Sequence, residues 1–402
     1  MSRLFPLVAA MAIAAALPGA LAAQPVEVVQ LAAPDAFSTA GRETGLRQDL
    51  WRGASLQTAT TVLPLLGAKP LSPAAQVLAR RVLATGAPGP AGAGPDADLA
   101  AARANALLAL GDPRAAAAIL SRAPSVERSA ELSRAAAESA LLAGDDARAC
   151  AVAEALSVGR DGAYWLRLRT YCQAVAGNAA QAQLTFDLAQ AQSRDAVFGR
   201  LMGAKLAGAG DPGAASLRNG LDFALSRSLG LDLAAAKPAP AVAAALAGPD
   251  PAAPEWTLPT GEGDVALVAG ALAADRPVPA GALERMMETA TKADAKLRPA
   301  AQGAALLTAA LSGPLGPDHR GRSAAFTVAE GKAPAGRNLA IEDAAQEKLI
   351  GETALLALWT SAEAGAAGPA LGDRIRIVRA LQAVGLEADA RAFALEGLLA
   401  LK

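Results

Sequence analysis

The sequence is poor in the residues that carry most enzyme chemistry. It holds one His and two Cys in 402 residues, which excludes a His-rich metal site and a four-cysteine zinc cluster. Aromatic residues are 3%, too few for the large-side-chain interior of an enzyme sandwich or barrel. Charged residues are 19% and the net charge is −1, so the chain is neither a charged disordered tail nor a basic nucleic-acid binder. After the N-terminus no apolar run reaches the ~17 residues that a membrane helix needs. Val265 to Ala274 and Ala304 to Leu311 both fall short. What is abundant is alanine, at about 110 residues. Alanine has the highest helix propensity and loses no rotamers on folding, so many helices packed through small faces are expected.

The first residues give an address. Met1-Ser2-Arg3 is a short positive start, Leu4 to Leu17 is apolar, and Pro18-Gly19 breaks the run. Ala20-Leu21-Ala22 then supplies small residues for signal peptidase. These are the three parts of a secretory signal peptide, with the cut after Ala22 or Ala23. The mature chain is expected to be periplasmic, with no transmembrane segment.

Two stretches rich in Gly, Pro and Ala divide that chain. Residues 86–95 read as a flexible link, and residues 237–260 as a Pro/Ala-rich linker. The expected parts are a signal peptide over 1–22, an N-terminal helical segment over 23–96, repeats over 97–236 and a C-terminal helical domain over 261–402. Leu46 to Leu56 and Ala74 to Leu83 look helical within the N-terminal segment.

The middle part repeats. Gly111, Gly144, Gly177 and Gly210 are each 33 residues apart. Five positions after each stands Ala116, Ala149, Ala182 or Ala215, and seven before each a small residue, Ala104, Ala137, Thr170 or Gly203. Twelve before each is a large apolar residue: Leu99, Leu132, Trp165 or Phe198. In an alanine-rich chain the alanine column is weak evidence; the glycine and large-apolar columns carry the period. Each unit reads as two helices, the first stopped by a glycine suited to a left-handed cap. After Gly111 and Gly210, Asp-Pro starts the second helix. Such a pair cannot bury its apolar stripe alone, and stacked copies bury it together. Around Gly385 only the later Ala390 fits, since Val378 and Asp373 occupy the other columns.

On these residues the segment resembles a divergent tetratricopeptide array over roughly 97–230. The anchor stands one residue earlier than in that family, and the closing Pro is missing. The resemblance implies an α-solenoid of antiparallel helix pairs, whose first helices line a concave groove. Arg134, Arg167 and Arg200 stand ten before their glycines, about 200° round the helix from the anchors. A ladder of guanidiniums there, with Tyr171 beside it, suits a carboxylate or phosphate group on a partner. The plainer alternative pairs Arg134 with Glu138 and bridges the other two arginines to neighbouring helices.

Cys150 and Cys172 are equidistant from Asp161, inside the turn expected between their helices. Antiparallel helices would set them side by side, and in an oxidising compartment a structural disulfide is expected. The alternative is two buried thiols packing like alanine. His319, among Gly, Pro and Arg, reads as a solvated loop residue, and no Gly-x-Ser-x-Gly elbow partners it. Gly261 to Ala266 lacks the strand of a dinucleotide turn. No cofactor, metal or catalytic residue is expected. The function expected is non-catalytic binding of another envelope protein or peptide, with arginines selecting acidic groups. A structural scaffold using its outer surface is the alternative, and an enzyme with carboxylates in 261–402 the third reading.

Overall fold

The computed structural model describes residues 35–248 and 253–401. They form nineteen α-helices and, among the described residues, no strand. The expected signal peptide and its cleavage site lie outside the described residues. No helix of the described residues is long and apolar enough to cross a membrane.

The helices are α1 (Leu56–Leu65), α2 (Pro73–Ala84), α3 (Ala97–Ala109), α4 (Pro113–Leu120) and α5 (Ala130–Leu142). Next come α6 (Asp146–Ala155), α7 (Ala163–Val175), α8 (Ala179–Gln192), α9 (Ala196–Ala207), α10 (Gly220–Ser228) and α11 (Pro240–Ala247). Then follow α12 (Asp264–Ala273), α13 (Ala282–Lys292), α14 (Arg298–Leu311) and α15 (Pro317–Ala324). The chain ends in α16 (Ala335–Gln346), α17 (Ile350–Ala364), α18 (Leu371–Ala383) and α19 (Glu387–Ala400). Residues 46–53 form turns without a helix, so the first helix begins later than expected, whereas Ala74 to Leu83 lie within α2. His319 is on α15, started by Pro317, and not in a loop.

The periodic glycines end helices as their spacing implies. Gly111, Gly144 and Gly177 have φ of 77°, 81° and 79°. The amide after each reaches back over the helix end: Asp112 to Leu107 O at 2.8 Å, Asp145 to Ala140 O and Asn178 to Gln173 O at 2.9 Å. A left-handed residue permits this closure, and glycine takes that conformation without a Cβ clash. Asp112 and Asp145 then cap the next helix through the amides of Ala115 and Arg148. Gly385, with φ 82°, ends α18 in the same way. All four large anchors are buried, and Ala116, Ala149, Ala182 and Ala390 have no exposed surface.

The fourth unit departs from the pattern. Asp211 Oδ1 accepts the Gly213 amide at 2.7 Å, and Gly210 and Gly213 have φ of 101° and 64°. This Asx turn competes with helix, so the second helix expected at Asp211-Pro212 does not form. The chain becomes helical again only where Asn219 caps α10 through the Asp222 amide, 2.8 Å away.

Residues 86–95, expected to be a flexible link, are packed instead. The Ala87 amide bonds Phe37 O, the Gly89 amide bonds Asp35 Oδ2, and the Ala36 amide bonds Gly94 O. The segments that this stretch packs on are tied together by Arg103 of α3, which is fully buried. Its guanidinium donates to Leu83 O (2.8 Å), Ala36 O (2.9 Å), Thr39 O (3.0 Å) and Thr85 O (2.9 Å). Composition registers Gly and Pro but not this long-range anchor.

The C-terminal helices close on the N-terminal segment. The Gly351 amide bonds Leu50 O at 2.9 Å, and a Cβ at Gly351 would stand 2.6 Å from that oxygen. Glu352 of α17 accepts the Ser55 amide and the Thr58 hydroxyl, and Glu396 of α19 accepts the Ala74 amide of α2. Asp389 of α19 pairs with Arg81 of α2 at 2.5 Å. One apolar core therefore runs through Phe37, Trp51, Leu78 and Leu107 to Leu355, Leu381 and Phe393. A second, smaller core gathers Trp165, Leu168, Phe198, Leu201 and Leu225. Helix α5 is the wall between them, giving Leu132, Ala135 and Ala136 to the first and Ala137, Ala140 and Leu141 to the second.

Replacing Arg103 by Met strips four buried carbonyls of a donor, and should lower unfolding free energy by about 4 kcal/mol in urea titration. Burial raises the Asp389 carboxyl from 3.8 to about 6, with Arg81 opposing. A raised acid favours the folded state below its unfolded value, and that contribution is lost as pH rises through the folded one. Wild-type stability should therefore fall relative to Asp389→Asn by about 3 kcal/mol between about pH 4 and about pH 7. A flat difference curve would contradict the burial.

Candidate functional site

The expected partner face is the side of α5, α7 and α9 that carries the arginines. It is partly covered by the chain itself. Helix α10 returns to pack on α5 and α9. Its Gly220 amide bonds Glu138 Oε2, and its Arg227 pairs with Asp146 Oδ1 at 2.6 Å. Positions on the arginine face are therefore inside where α10 crosses them.

Tyr171 is such a position. It is fully buried, and its hydroxyl donates to Asp146 Oδ2 at 2.8 Å. Burial first, then that bond, push the phenol well above its ordinary value. It is a packing residue and not part of an open groove. Sequence spacing placed it four residues after Arg167 but did not show the returning helix. The signal was in α10: Leu221 and Leu225 stand at four-residue spacing, and both are buried.

The arginines divide. Arg167 Nη2 donates to Ser193 O at 2.8 Å, and Nη1 lies 3.5 Å from Asp195 at the start of α9. Arg200 Nη2 donates to Ala214 O at 2.8 Å. Both bridge to the segment that follows, the plainer of the two expectations. Arg134 is exposed, stacks 4.8 Å over the Tyr164 ring, and makes no hydrogen bond or ion pair among the described residues. The expected Arg134–Glu138 pair is replaced, because Glu138 takes the Tyr164 hydroxyl on one oxygen and the Gly220 amide on the other. Burial raises the Glu138 carboxyl, against those two bonds.

Beside Arg134 the helices leave a cavity of about 340 Å³. Its walls are Asn105 and Leu108 of α3, Glu131 and Arg134 of α5, Arg218 and Asn219 before α10, and Val242 of α11. Arg218 is half-exposed and already paired with Asp195 and Asp222. Such a site offers hydrogen-bond donors and one guanidinium without an ion pair, beside the carboxylates of Glu131 and Glu138. Among the described residues no group of three His, Cys, Asp or Glu side chains is placed to hold a metal ion.

Cys150 on α6 and Cys172 on α7 are within disulfide distance, with Cα atoms 5.5 Å apart. Both are half-buried, so neither is a core thiol. Reducing the bond should cost about 3 kcal/mol by the loop-entropy argument. Urea unfolding with and without dithiothreitol measures it, and Cys150→Ala/Cys172→Ala should match the reduced wild type.

No protein-family model matches the chain, and no curated protein or solved structure matches it either.

Proposed function

We propose that the chain is an exported helical-repeat protein, an α-solenoid of antiparallel helix pairs, that binds another envelope protein or peptide without chemistry. The observation that carries this reading is the cavity beside Arg134. A guanidinium stacked on an aromatic ring keeps a fixed plane, and with no ion pair or hydrogen bond of its own it can take a carboxylate from a partner. Arg218 and two asparagine side chains stand around it. Arg167 and Arg200 support the same face by fixing each unit to the next. The signal peptide and the half-buried cysteine pair agree with an oxidising compartment.

One observation favours the outer-surface scaffold. Leu184 and Leu188 of α8 are 64% and 54% exposed. One period earlier, the corresponding places on α6 hold Ala151 and Ala155, which are also exposed. Large apolar side chains set on the outward positions of a helix suit contact with a partner.

The two readings separate in one experiment. The mature chain is used as bait for solubilised envelope, with Arg134→Glu and Leu184→Glu/Leu188→Glu as parallel baits, each checked for folding by circular dichroism. Loss of a wild-type partner on Arg134→Glu alone is the outcome expected. Loss on the leucine pair alone would support the scaffold, and retention by both variants would contradict both.

A further inference from the structure

The C-terminal helices contain a groove that no part of the reading above uses. Helices α16 and α18 each lead into a following helix, α17 and α19, after a short turn, and the two leading helices pack side by side. Between them runs a groove of about 570 Å³. Ile375, Ala380 and Ala383 give it small apolar walls. Leu339, 70% exposed, stands three residues before the lining residue Glu342 on α16.

The charges in the groove are unbalanced. Among the described residues that line it, Glu342 is the one carboxylate, and Arg376 Nε takes it at 2.7 Å. Arg379 is exposed and has no hydrogen bond or ion pair among the described residues. Lys348 lines the same groove, with Nζ on the Ala383 carbonyl at 2.7 Å. That carbonyl is neutral, so the ammonium charge is not cancelled.

Lys348 is also held in a backbone conformation that costs it. Its φ is 59°, and the amides of Lys348 and Leu349 close the end of α16 on Ala345 O and Ala344 O. The same closure elsewhere is made by Gly111, Gly144, Gly177 and Gly385. Glycine takes this conformation freely, whereas a side chain meets a steric penalty. Gly230 closes α10 in the same way, and one other side chain, Asp275 with φ 51°, does so at the end of α12. A lysine where five other helix ends use glycine places a cation at the groove against the preference of the backbone. Strain of that kind persists where the surroundings enforce it, and it gathers at binding sites.

We propose that the groove between α16 and α18 binds an acidic peptide segment of a partner protein, a site separate from the face beside Arg134. Carboxylates of the segment meet Arg379 and Lys348, and a neighbouring small apolar side chain lies over Ile375 and Ala380. The charge balance selects an acidic segment: the two lining groups without an ion pair, Lys348 and Arg379, are cations, and the lining carboxylate is already paired.

The test uses the full mature chain as target for a phage-displayed library of random dodecapeptides. Wild type should enrich Asp and Glu next to Leu, Val or Ala. A synthetic fluorescein-labelled copy of the most enriched peptide should bind, and Gln in place of its acids should weaken it at least tenfold. Lys348→Gly should weaken the acidic peptide several-fold while the melting temperature holds or rises, because the glycine releases the strain. Arg379→Glu should weaken it at least tenfold, and Arg134→Glu should leave it unchanged. No acidic enrichment would overturn the proposal. So would equal binding to wild type, Lys348→Gly and Arg379→Glu, or a peptide lost on Arg134→Glu and kept on Arg379→Glu.

Discussion

Four backbone carbonyls converge on the Arg103 guanidinium, from Ala36, Thr39, Leu83 and Thr85. All lie outside the reach of helical ladders or at a helix end, so none has a local amide to accept. Burying a guanidinium is costly, and burial lowers its pKa to about 9. The four acceptors, the nearby Asp35 charge and the Phe37 ring offset that cost. Because one side chain ties residues 36–39, the end of α2 and α3 together, the Gly/Pro stretch between α2 and α3 has a single path. The N-terminal segment is thereby a rigid seat, and the C-terminal helices dock on it through Leu50, Ser55, Thr58, Ala74 and Arg81.

Alanine makes the rest possible. A helix faced with alanine lets its neighbour approach closely, and Ala116, Ala149, Ala182 and Ala390 are among the alanines with no exposed surface. Few large side chains are then needed: Trp51, Trp165, Phe198 and Phe393 fill the wider gaps. The thinness of α5 in side-chain terms lets one helix serve two cores, with four small or medium residues to one side and three to the other.

Much of this was legible in the sequence, and the failures have physical causes. The glycine period marked three helix ends that the structure places in the left-handed region, and the symmetry about Asp161 brought Cys150 to Cys172. The alanine column looked like chance because alanine is common, yet Ala116, Ala149 and Ala182 are fully buried, while Ala215 in the irregular fourth unit is not. The C-terminal pairs escaped the pattern because Lys348 does the work of a glycine at one helix end. At another, buried Asp373 stands in the anchor column and accepts the amides of Lys332 and Ala333. Tyr171 and Glu138 were read as surface because spacing within one helix says nothing of α10, which bonds back to Glu138 and Asp146 across 82 and 81 residues of sequence. Of the three arginines read as a ladder, Arg134 alone stays exposed without an ion pair.

Hydrogen exchange under native conditions, read helix by helix with increasing denaturant, tests the shared core most directly. Helices α2, α3, α17 and α19 should open together at one free energy, and α7 to α9 as a separate unit at a lower one, because the boundary between cores lies at α5. If α17 and α19 open independently of α2 and α3, the division follows the Pro/Ala-rich linker instead, and the N-terminal segment is not the seat of both halves.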